Sequence, residues 1–233
     1  MSITLTPQKA IEHQAPIASA ALRMGGLAAV IAGASYTVVG LFHPANVPSA
    51  VTGTRWEVVH LLACATSVFG LLGMAALCRR HARTIRWPGL VGYALLSLWL
   101  TLIMGFSFVE AFVLPHIASS SPGFVDSWMG MFNGGSSGGI DLAPLPTLWM
   151  LTAPIYMLGG LLFGIAVYRG GVLPRAAGVL LAIGTVAAPL AVLLPLSAQP
   201  KMAIPVGVAL MWLGWAVWSA HGERLDEEAA PAV

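Results

Sequence analysis

The 233-residue chain is 58% hydrophobic and only 9% charged, with a formal net charge of +2. A soluble domain carries about 25% charged residues and could not hide so much apolar surface, so the bilayer has to act as the solvent. The basic residues cluster at the ends of apolar runs, which excludes a nucleic-acid surface, and the alternation of a transmembrane β-barrel is absent.

Residues 1–21 are polar and mixed and read as a cytoplasmic N-terminal segment. The first apolar run is long enough to be kept as an anchor rather than cleaved as a signal. Six runs approach or exceed the roughly 20 residues needed to cross a membrane: 22–42, 56–78, 90–114, 147–168, 176–196 and 202–220. The expectation is an all-α polytopic bundle of about six transmembrane helices over 22–220, with an outer loop at 115–146 and an acidic cytoplasmic tail at 221–233. Pro44, Pro115, Pro174 and Pro200 punctuate the runs, while Pro154, Pro189 and Pro205 predict kinks.

Direction follows from the basic residues. Lys9, Arg23, Arg79, Arg80, Arg83, Arg86, Arg169, Arg175 and Arg224 fall on one side of an alternating six-span chain, and only Arg55 and Lys201 on the other. The Arg-rich side is predicted cytoplasmic, placing both termini inside the plasma membrane of a bacterium.

Glycines recur every seven residues at Gly26, Gly33 and Gly40 in the first run and at Gly207 and Gly214 in the sixth; Gly160 and Gly164 form a GxxxG in the fourth. Such stripes predict close helix contacts. Cys64 and Cys78 share one run about 21 Å apart along a helix, too far for a disulfide. The outer loop carries Gly134 to Gly139, which reads as surface. It also carries Phe124, Trp128, Met129, Met131 and Phe132, which leave two expectations open: a segment lying in the interface or folded back as a lid, or a floppy surface loop.

The ionisable residues are distributed unevenly. The interiors of the last three runs hold none, whereas the first three collect His43, Glu57, His60, Glu110 and His116 at one level near the outer face. Several charges at one depth imply pairing, a bound cation or a wet cavity, because each costs roughly 2.5–3.5 kcal/mol at the bilayer centre. Glu57-x-x-His60 places a carboxylate and an imidazole at neighbouring helix positions. It resembles half of a di-iron carboxylate site, but one copy suits a single ion better. His43, Glu57, His60, Glu110 and His116 are therefore candidate ligands for Zn, Fe, Mn or Cu. His43 and His60 are candidate haem b ligands, and Glu57 and Glu110 are candidate catalytic acids.

Four readings stay open. One is a metal- or haem-dependent enzyme acting on a lipid, isoprenoid or quinone that reaches it through the bilayer. Another is metal-free acid/base chemistry on an isoprenoid; over two residues, Trp56-Glu57 resembles small polytopic terpene cyclases, which work through paired acidic residues in the membrane. The others are a transporter, and a homo-oligomeric or structural subunit of a membrane complex. His13, His81 and His221 have polar flanks and receive no role, and Cys64 reads as a small core residue.

Overall fold

The computed structural model describes residues 7–133, 139–195 and 198–229, with side chains described between 19 and 220. The glycine stretch at 134–138 lies outside the described residues. The described residues form seven α-helices: α1 (Pro7–Phe42), α2 (Thr54–Arg80), α3 (Trp87–Ile117), α4 (Pro122–Asn133), α5 (Leu145–Gly170), α6 (Arg175–Ala187) and α7 (Ile204–Ala229). Six segments are long and apolar enough to cross a membrane: Ser19–Phe42, Thr54–Arg80, Trp87–Ile117, Leu145–Gly170, Arg175–Leu193 and Gln199–Ala220. Helix α6 tightens into a 3-10 segment, Ala188–Leu193, and a second one, Gln199–Ala203, leads into α7.

The ends of the helices follow local chemistry. Gly171, at φ +63°, stops α5 in the left-handed conformation and donates its N–H to the Val167 carbonyl. Two of the proline expectations need correction. Pro205 sits in the first turn of α7 and starts that helix rather than kinking it, because its missing N–H has no partner there anyway. Pro189 falls where α6 gives way to the 3-10 segment, since it cannot donate back to Thr185. Pro154 does lie inside α5.

The six long helices form a closed ring in chain order. Each packs against the next, and α7 closes against α1. Helices consecutive in the chain are neighbours in space, whether the link is as short as 171–174 or as long as 118–144. The closing contact is made by the glycine stripes. A Cβ on Gly26 would lie 2.9 Å from the Gly214 carbonyl oxygen, and one on Gly214 would lie 2.6 Å from that of Gly26. Gly33 and Gly207 face each other in the same way, and Gly40 faces Pro200. The GxxxG of α5 packs on α6, with Gly160 against Thr185 and Gly164 against Gly178 and Ala182. Without side chains between them, the backbones approach closely enough for dispersion to replace a hydrophobic drive that lipid does not supply.

Helix α4 crosses one end of the ring, touching the turn at 48–50, the last turn of α3 and α5. Val125, Trp128 and Met129 of α4 are buried in a cluster with Val51, Trp56, Phe106 and Leu114. The aromatic part of the outer loop is thus a helix packed on the bundle rather than a floppy surface loop.

Candidate functional site

Beneath α4 the ring opens into a cavity of about 360 Å³. It is lined by α1, α2, α3, α4 and α5 and by the two 3-10 segments, and its polar side includes His43, His60 and Glu110. His60 and Glu110 are 1% and 7% exposed.

Glu110 owes its position to an irregular turn. Residues Val109–Val113 form a π-helical turn, with the Leu114 N–H bonded back five residues to the Val109 carbonyl. Pro115 explains the widening: it has no N–H to donate, and its ring would strike the Ala111 carbonyl of a regular helix. Such turns free backbone groups and often mark functional positions. Here the Glu110 carbonyl accepts a 2.8 Å hydrogen bond from Trp56 Nε1, while Trp128 Nε1 of α4 donates to Glu110 Oε1 at 3.4 Å. Two indoles from different helices thus hold the acid at its backbone and at its carboxyl group.

His60 faces this acid. Its Nδ1 lies 2.7 Å from the Trp56 carbonyl, which can only accept, so Nδ1 carries hydrogen and donates. That leaves Nε2 for the Glu110 side, 3.3 Å from Oε2 and within ion-pairing range, though not aligned as a hydrogen bond. A proton taken up by the pair can rest on either partner, as carboxylic acid beside neutral imidazole or as carboxylate beside imidazolium. Trp56 stacks on the His60 ring at 4.2 Å.

His43 follows α1 and meets His60 edge-on, ring centroids 5.0 Å apart. Its Nδ1 donates to the Pro44 carbonyl at 2.7 Å, leaving Nε2 with a lone pair. Burial, opposed in part by that hydrogen bond, holds His43 below the ordinary imidazole value of 6.5, and the Arg55 charge adds to the effect. Arg55 itself caps α1, donating Nε–H to the Phe42 carbonyl at 2.7 Å.

The other end of the cavity is aromatic. Tyr36 and Tyr156 bring their hydroxyls to 3.3 Å, and Trp99 stacks on Tyr156 at 4.3 Å and meets Tyr36 edge-on at 5.8 Å. Phe106, Phe132 and Trp149 form a side wall.

The structure therefore brings together three of the five residues singled out in the sequence. Glu57 and His116 are exposed and do not line the cavity. Glu57 lies 60° around α2 from His60, enough in the first turn of a helix to send it outward, where the positive end of the helix dipole suits it. His116 follows the π turn, whose extra residue rotates what comes after it by about 100°. Cys64 is buried in the core, as expected. His81 was given no role, yet it is 1% exposed at the far end of α2, packed against Gly170.

Among the described residues no group of three or more His, Cys, Asp or Glu is placed to hold a metal ion. Two imidazoles in edge contact leave no space for a haem plane between them. The aromatic end and both indole donors to Glu110 escaped the sequence reading; Pro115, five residues after Glu110, was the available hint of an irregular turn.

No protein family, curated protein or solved structure matches this chain.

Proposed function

We propose that this is a multi-pass protein of a bacterial plasma membrane, both termini cytoplasmic, whose cavity takes a lipophilic small molecule and exchanges a proton with it. His60 and Glu110 are the acid/base pair, with Glu110 as the group that touches the substrate and His60 as its proton partner. Trp56 and Trp128 position the carboxyl group. The observation that carries the reading is the buried acid, paired with an imidazole of defined tautomer, inside a cavity whose walls are mostly apolar and aromatic. A substrate of the lipid, isoprenoid or quinone class suits such walls and reaches them through the surrounding bilayer. Membrane lipids are the natural partners, and the exposed apolar faces of the ring suit lipid or a second membrane protein alike.

The test is turnover of prenyl alcohols and membrane-lipid extracts by the purified protein, followed by mass spectrometry. Glu110→Gln and His60→Gln are expected to abolish product formation, and chelators to leave it unchanged. A near-stoichiometric metal or a Soret band in the purified protein would overturn this metal-free reading.

A further inference from the structure

The hydrogen-bonding capacity around Glu110 is unevenly spent. Four N–H donors around Glu110 are committed to protein acceptors: Trp56 Nε1 and Trp128 Nε1 to Glu110, His60 Nδ1 to Trp56, and His43 Nδ1 to Pro44. Thr152 likewise donates to the Trp149 carbonyl at 2.6 Å. Left over are acceptors: the Nε2 lone pairs of both imidazoles, the remaining capacity of the carboxyl group, and Asn46 Oδ1, which is buried without a partner. Hydroxyls of Ser107 and the tyrosine pair can serve in either direction.

The charges point the same way. Glu110 is the acid on the cavity wall, and among the described residues no lysine or arginine lines the cavity. Trp99, Tyr156 and Tyr36 form an aromatic cluster beyond it, and ring faces attract cations. An anion would meet the acid and two imidazole lone pairs with no lysine or arginine on the described lining to balance it. A neutral hydrocarbon would leave the acceptors unfilled, which is costly in a buried site.

We infer that the ligand of this cavity is a lipophilic amine in its protonated form, its ammonium N–H groups donating to Glu110 and the imidazole Nε2 atoms and its apolar body lying along the aromatic end. This rests on the cavity's role as a lipophile site and names the ligand's charge.

Three probes of one shape separate the two claims: 4-phenylbutylamine, 4-phenylbutanol and 4-phenylbutyrate, titrated near neutral pH into the full-length protein in detergent with tryptophan fluorescence and calorimetry as readouts. The amine is expected to bind saturably and at least about tenfold more tightly than the alcohol, and the acid to bind weakest. Glu110→Gln is expected to bring the amine to within about twofold of the alcohol while alcohol binding persists. Should that variant fail to fold, the ranking of the three probes on the wild-type chain decides alone. Alcohol binding as tight as amine binding overturns the charge inference and leaves the lipophile site intact. Absence of saturable binding by all three overturns the site itself.

Discussion

Helix α2 buries a histidine near each end, and the surroundings of the two differ in almost every other respect. His60 has an acid 3.3 Å from its free nitrogen and a cavity beside it. His81 is just as buried, but its ring is wedged against Gly170 and approaches the Val167 carbonyl without closing an aligned hydrogen bond. Burial holds His81 below the ordinary imidazole value, a positive Arg80 adds to this, and the carbonyl opposes it. Depth alone therefore does not make a site. What distinguishes the His60 end is a partner able to exchange a proton and a space for a molecule to receive it.

The largest expected effect strikes the cavity end alone. Glu110→Gln should lower turnover by about 10²–10⁴-fold with the fold retained, measured as rate beside a thermal melt. Loss of folding instead of rate would make Glu110 a structural residue and erase the contrast with His81. At the other end, Gly170→Val should cost about 1–3 kcal/mol by overpacking, because a Cβ there already lies 2.8 Å from the His81 ring. Denaturant or thermal unfolding in detergent reads this, and substrate chemistry should stay at wild-type rate.

Trp56→Phe removes the donor to the Glu110 carbonyl and should cost about 1–2 kcal/mol, with kcat falling more than KM changes. Acidification gives a smaller effect. For His43 and His81 the folded value lies below 6.5, so the unfolded chain binds more protons as pH falls. Their contribution is fully present above about pH 6.5 and declines as pH drops below it. His81→Gln should flatten part of that decline in a melt-versus-pH series; an unchanged slope would show that the ring is not held neutral. The smallest effects belong to Glu57→Gln and His116→Ala, expected within about 0.5 kcal/mol and without loss of rate, since both side chains are exposed.

The spans were legible because lipid imposes length and apolarity on every crossing helix, and each observed segment starts or stops within a few residues of its predicted run, apart from the wider reach of α1 and α7. The glycine stripes were legible for a related reason: only a period-seven absence of side chains permits such an approach, and Gly26 meets Gly214 as the spacing implies. The site was half legible. Depth can be counted from a helix end, so His43, His60 and Glu110 were grouped at one level. Azimuth cannot be counted across a π turn, or in a first turn where a residue is free to face outward, and His116 and Glu57 were misplaced there. Tyr36, Trp99 and Tyr156 belong to three helices, and nothing local to any one of them says that their rings converge.

That convergence has a mechanical consequence. Helices α1 and α5 stand opposite each other in the ring, and the Tyr36–Tyr156 hydroxyl contact, with the Trp99 indole laid beside it, braces them across the waist of the molecule. The chamber is thereby a cup with a floor. A solute could descend only as far as that strut, and onward passage would require three packed rings to swing aside together, so the architecture favours a vessel in which a guest is held over a conduit through which it flows.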